Sequence, residues 1–189
     1  MKKIWIIPVI VVVAAGLMLF GWYRNGYDRA VSMDEEVLSA WAQVENQLQR
    51  RNDLIPSLVN TVRGFADQEM GVFTEVARLR SQWAEAGTVE SKIDTANELS
   101  GALSRLLLVS ESYPELKSNE NFLALQAQLE GTENRIAVER MRYNRSVRDL
   151  NRFQRTFFGR FFAAQAGVEE PAAYFEADKS AMEVPEVVF

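Results

Sequence analysis

Neither cysteine nor histidine occurs anywhere in the 189 residues. The missing cysteine excludes disulfides, thiol nucleophiles, zinc knuckles and cysteine-held clusters. The missing histidine removes the commonest general base near neutral pH, the commonest metal ligand and every Ser-His-Asp arrangement. Paired carboxylates or a lysine are the chemistry that remains. Proline and glycine are also scarce, at five and ten residues, so long helices meet few interruptions. No period-2 run is long enough for a sheet. Nucleotide-binding loops of the G-x-x-x-x-G-K or G-x-G-x-x-G form are absent, as is an EF-hand loop. No cofactor and no metal are therefore expected.

Charge is lacking at the start of the chain. After Lys2 and Lys3, residues 4–23 carry none. Twenty helical residues span about 30 Å, the hydrocarbon thickness of a bilayer. Pro8 lies in the first turns, where its missing N–H costs least. Trp5 and, at the far end, Phe20, Trp22 and Tyr23 are expected as anchor residues, because amphipathic rings favour the interface. The rival reading is a cleaved signal peptide, with Val13-Ala14-Ala15 as the cut. Against it, the apolar run continues through Leu17, Met18, Leu19 and Phe20, past the length of a signal's apolar core. Lys2, Lys3 and the free amino group face Arg24, Asp28 and Arg29 across the span, which favours a cytoplasmic N-terminus and an outward-facing domain.

The remainder reads as helices. Ser32-Met33-Asp34-Glu35 has the capping-box form. From there Val37, Trp41, Val44, Leu48, Ile55, Leu58, Val62 and Phe65 step by three and four, broken only by Arg51. Pro56 is expected to kink this helix, and Gly64 or Gly71 to end it. A second, shorter helix covers 69–86. A third runs from about Ser91 to Ser110 with Ile93, Ala96, Leu99, Leu103 and Leu106 on one face. Tyr113-Pro114-Glu115 interrupts. The fourth starts at Ser118 or Asn119 and carries Phe122, Leu125, Leu129, Ile136, Tyr143, Leu150, Phe153 and Phe157, with Thr132, Glu139 and Ser146 on the same seam.

The expected fold is all-α: an N-terminal transmembrane helix followed by an elongated antiparallel bundle of four helices, two long and two short. The implied divisions are an anchor (1–23), a juxtamembrane linker (24–32), the bundle (33–158) and an aromatic and acidic tail (159–189) with no single regular helix. Up-down-up-down connections and a three-column stack of the middle helices both fit these lengths.

Three groups of polar residues compete for a role. Asp34-Glu35-Glu36 reads as acids complementing a helix dipole. Glu130, Glu133 and Glu139 are candidate carboxylates, but pairing with Arg50, Arg51 or arginines of their own helix accounts for them better. Gly131 between them costs about 1 kcal/mol against alanine, tolerable where another backbone approaches. From Arg135 to Arg160 there are eight arginines and two acids. Arg152, Arg155 and Arg160, followed by Phe157, Phe158, Phe161 and Phe162, form a candidate contact with anionic head groups or a neighbouring subunit; a solvated face and a plug for the bundle's open end are the alternatives. The chain is acidic overall, at net −5, so no nucleic-acid partner is expected.

Several blocks carry a family resemblance. Ala40-Trp41-Ala42-Gln43-Val44-Glu45 through Arg50-Arg51-Asn52-Asp53-Leu54-Ile55-Pro56 is similar to the first block of the LemA family, as is Asn97-Glu98-Leu99-Ser100-Gly101-Ala102-Leu103. The closest match is Tyr113-Pro114-Glu115-Leu116-Lys117, then Asn119-Glu120-Asn121-Phe122, Leu129-Glu130-Gly131-Thr132-Glu133-Asn134-Arg135-Ile136 and Arg142-Tyr143-Asn144. Tyr174-Phe175-Glu176-Ala177 and Pro185-Glu186-Val187-Val188-Phe189 resemble the family's tail. Where many relatives have histidine this chain has Gln68-Glu69, so no metal role comes to that position.

The resemblance implies a single-pass protein of the bacterial inner membrane with an antiparallel helical bundle and no established enzymatic activity. The expected function is a non-enzymatic, membrane-anchored scaffold that self-associates into a homo-oligomer, with membrane lipid and itself as partners. The alternative is an adaptor for a membrane protease or an envelope-stress partner.

Overall fold

In the computed structural model residues 6–66, 68–168 and 171–176 are described. Among them the structure is helical, with no strand. Helix α1 (Ile6–Arg63) is one continuous helix of 58 residues. Residues 24–32, expected as a linker, are helical, and Ser32–Glu35 lies inside the helix rather than at its start. The physical reason is simple. An N-cap is needed only where N–H groups lack a carbonyl four residues back, and Asp28, Arg29, Ala30 and Val31, already helical, supply those carbonyls. Arg24 and Asp28 pair one turn apart on its exposed side, at 3.4 Å.

The helix also runs on through Pro56. Proline leaves the carbonyl of Asn52 without its usual donor. Arg80 Nε donates to that oxygen at 3.2 Å, so a side chain from the next helix satisfies the group the proline orphaned. The stepping ends one turn early: the last helical residue is Arg63, Phe65 is partly exposed, and Ala66 is buried in its place.

Helices α2 (Met70–Glu85) and α3 (Val89–Val109) follow. Thr88 and Ser91 close a reciprocal capping box at the start of α3. A 3-10 turn at Ser110–Ser112 leads to Tyr113, and Pro114 opens the short α4 (Pro114–Lys117), where its missing N–H costs nothing. Helix α5 (Glu120–Gln154) is capped by Asn119, whose side-chain oxygen accepts from the Phe122 N–H at 3.1 Å. The tail, expected to be irregular, forms a further helix, α6 (Phe157–Gln165).

The described residues divide into two compact units. One comprises α1 up to Ala40 and the chain from Arg145 to Ala172. The other comprises Trp41–Asn144 with the chain from Ala173. The core of the second unit is one apolar cluster: Ile55, Leu58 and Val62 of α1, Val76 and Leu79 of α2, Leu99 and Leu106 of α3, Leu116 of α4, Phe122 and Leu129 of α5. Each residue sits on the three-four stepping of its helix, so the stripe is what brings the helices together. Gly131 is the exception to an expectation. It is exposed and a side chain there would meet open space, so no backbone approaches it.

Candidate functional site

The first unit holds the apolar span and the aromatic segment. Helix α1 from Pro8 onward is the one helix among the described residues long and apolar enough to cross a membrane, and none of its apolar window is buried. Pro8 and Phe20 are exposed on it; Trp5 lies outside the described residues.

Helix α5 stops at Gln154, so Phe157, expected on its seam, leaves the seam and is 85% exposed. Thr156 caps α6 by accepting from the Gly159 N–H at 3.0 Å. A Cβ at Gly159 would lie 2.0 Å from the Phe153 carbonyl oxygen, so this corner admits only glycine. A second glycine seats the helix. The ring of Phe162 occupies the space above Gly26, where a Cβ would come within 2.2 Å of it. Trp22 meets Phe158 and Phe162 edge to face at 5.2 and 5.1 Å, and Tyr23 meets Phe161 and Phe162 at 6.5 and 5.9 Å. Of the four phenylalanines only Phe162 is buried, whereas Phe158 and Phe161 remain 55% and 48% exposed.

The arginines of this unit are unevenly used. Arg29 stacks over the Phe153 ring at 5.4 Å. Arg152, Arg155 and Arg160 have no ion-pair partner among the described residues. Arg155 and Arg160 line a cleft of about 560 Å³ with Asn151 and Gln154, and with the apolar Ala163, Ala164, Val168 and Pro171. Asn151 is held in place by a reciprocal pair of bonds with the backbone of Ala172, both 3.0 Å.

In the second unit the polar residues of the resembling blocks meet one another. Arg51 is 1% exposed. Its guanidinium donates to Ser100 Oγ at 2.7 Å, to Glu133 Oε1 at 3.0 Å and to the Ala96 carbonyl at 3.1 Å. One side chain thus ties α1 to α3 and α5. Lys92 of α3 pairs with Glu45 of α1 and lies over the Trp83 ring. Trp41, Tyr143 and Phe175 form an aromatic cluster, with ring centres 5.4 and 6.5 Å from Trp41.

The extended segment around Phe175 is stapled to its unit by side chains. Asn144 donates to the Phe175 carbonyl at 3.0 Å and accepts from its N–H at 2.8 Å. Arg140 and Asn97 both donate to the Glu176 carbonyl, and the Arg140 guanidinium lies 4.0 Å from the Phe175 ring centre. Burial lowers the pKa of Arg140, with Glu133 opposing the shift. Tyr143 donates to the Ala173 carbonyl at 2.8 Å, and burial pushes its phenol above the usual tyrosine range.

The remaining expected polar pairs fall out differently. Arg50 is exposed with no partner among the described residues. Glu130 accepts from Gln126 of its own helix at 3.0 Å, and Glu139 pairs with Arg142, also of its own helix, at 2.8 Å. Of the expected pairs, Arg51–Glu133 is the one that crosses between helices among the described residues. No group of three or more carboxylates that could hold a metal occurs among the described residues. Sequence reasoning did not find the asparagine staples. Asn144 and Asn151 are seven residues apart, two turns on one face, but that spacing does not name the backbone they meet.

Three curated relatives are similar over 151 residues at 25% identity. They are magnetosome proteins MamQ 2 and MamQ 1 of Paramagnetospirillum magneticum and MamQ of Magnetospirillum gryphiswaldense. The alignment covers 66% of this chain and 56% of each relative, so the chain spans little more than half their length. The model of the LemA family matches residues 40–189. The chain belongs to the LemA family.

Proposed function

We propose that this chain is a non-enzymatic, membrane-anchored structural protein that self-associates on a bacterial inner membrane. The N-terminus is cytoplasmic in this reading, and the helical domain is an antiparallel four-helix arrangement facing outward. The observation that carries it is how the polar residues of the family blocks are spent. Arg51 donates to both Ser100 and Glu133, and Asn97, Arg140, Tyr143 and Asn144 hold a backbone segment. Groups engaged in this way hold helices in register rather than facing a cleft. The relatives' name, magnetosome protein, likewise refers to a structure and not to a reaction.

Self-association has a surface to use. Leu123, Val138 and Met141 are large apolar residues exposed on α5. Anchoring confines copies to a plane, which raises their effective concentration. Size measurement of the full chain in mild detergent should give a multiple of the 21.5 kDa protomer. A strictly monomeric species at high concentration would falsify the scaffold. Crosslinking in native membranes that returned a different protein, and never a second copy, would replace it with an adaptor.

A further inference from the structure

We propose that α6 is an interfacial helix that lays its exposed phenylalanines into the bilayer, and that Arg155 and Arg160 bind the phosphate of an anionic phospholipid in the cleft behind it. The inference rests on the span of α1 being in lipid, and adds a second membrane contact to it.

Position comes first. Helix α6 docks on Trp22, Tyr23 and Gly26, where the apolar stretch gives way to Arg24 and Asp28. At 1.5 Å per residue, Gly26 lies about 5 Å beyond Tyr23, within the headgroup layer of a bilayer whose core the stretch fills. The helix is thus carried at the depth where amphipathic helices lie.

The exposed surface fits that depth. Phe162 and Ala163 are buried, whereas Phe157, Phe158 and Phe161 keep much of their surface exposed. Phe158 adjoins Trp22, Phe161 adjoins Tyr23 and Phe157 adjoins Phe158, so the three rings continue the exposed apolar surface of the span. Contiguity with that surface favours lipid over a second copy as its cover. In water these rings would leave apolar surface unburied that a bilayer interface covers.

The cleft supplies the anion site. Arg155, Arg160 and the fixed Asn151 line it, with Gln154 and the apolar Val168 and Pro171. Two guanidinium forks with no ion-pair partner among the described residues match the planar donor pattern that phosphate takes. An apolar wall beside it suits the glycerol and first methylenes of a lipid, and serves no purpose for a free ion. The two acids next in sequence, Glu169 and Glu170, lie outside the described residues.

Because the chain has no cysteine, single spin labels can be placed on the full protein. Phe157→Cys and, as reference, Leu17→Cys are labelled in bilayers of phosphatidylglycerol and phosphatidylcholine. Both labels should relax faster with oxygen, which enters lipid, than with a water-soluble nickel chelate. A water-exposed label at 157 with 17 in lipid overturns the interfacial helix alone. Water exposure at 17 overturns the anchor and the proposal together. Spin-spin broadening at 157 assigns the rings to a second copy and overturns the lipid.

For the cleft, native mass spectrometry compares retained phosphatidylglycerol between the natural chain and Arg155→Gln/Arg160→Gln, with retained phosphatidylcholine as the baseline. The double variant should lose about tenfold in phosphatidylglycerol retention. Equal retention overturns the phosphate site. Full competition by inorganic phosphate at millimolar concentration shows a free-anion site and overturns the lipid.

Discussion

At the scale of single residues, Arg51 and Glu133 make an asymmetric pair, one 1% and the other 40% exposed at the side chain. Removing Glu133 strands a charge in the core, whereas removing Arg51 leaves a carboxylate that water can reach. Glu133→Ala should cost about 2 kcal/mol, below the usual buried-pair figure because of that exposure, while Arg51→Met should cost about 1 kcal/mol or less. Thermal unfolding of the full chain in mild detergent orders the two. Gly131 points the other way, since nothing surrounds it. Gly131→Ala should stabilise by about 0.5–1 kcal/mol in the same measurement. Tyr143 sets a pH limit. Its phenol titrates higher when folded than when unfolded because it is buried, so its contribution is intact below the unfolded value and is lost as pH rises above about 10. Tyr143→Phe should remove that part of the alkaline loss and cost about 1 kcal/mol at neutral pH for the bond to Ala173.

At the scale of elements, two glycines and two asparagines decide what the C-terminal part of the chain does. Gly26→Ala pushes a methyl into the Phe162 ring and should release α6. Amide hydrogen exchange over residues 160–166 should rise while exchange around Arg51 stays unchanged. Asn144 contributes two bonds to Phe175, so Asn144→Ala should cost about 1–2 kcal/mol and expose the Phe175 amide to exchange. These contacts were missed in the sequence because asparagine's role is not periodic. A seam residue announces itself by spacing, but an amide pairing with a distant backbone is visible only once that backbone is in place. The end of α5 is a similar case: Phe153 and Phe157 continue the stepping, yet the corner at Arg155 and Thr156 is set by the Thr156 cap and by Gly159.

At the scale of the whole molecule, α1 joins the span to the folded domain without a break in helix. The span then stands or falls on its apolarity. Val12→Arg should weaken membrane retention by about 3 kcal/mol, read as the fraction extracted by alkaline carbonate. The linker expected at 24–32 was drawn from a capping box, which marks a helix start only when no helix precedes it. That sequence signal is local, and the apolar stretch that overrides it ends nine residues upstream, at Tyr23.

Composition and periodicity by themselves determined the helical class, the apolar span, most of the buried stripes and the chemistry this chain cannot do, because each depends on residue type and short-range spacing alone. Tertiary structure decided which polar residues became partners, where α6 docks and which phenylalanines stay bare. Those outcomes depend on what arrives from far along the chain: Ser100 and Glu133 at Arg51, Arg80 at the carbonyl left open by Pro56, Phe162 at Gly26.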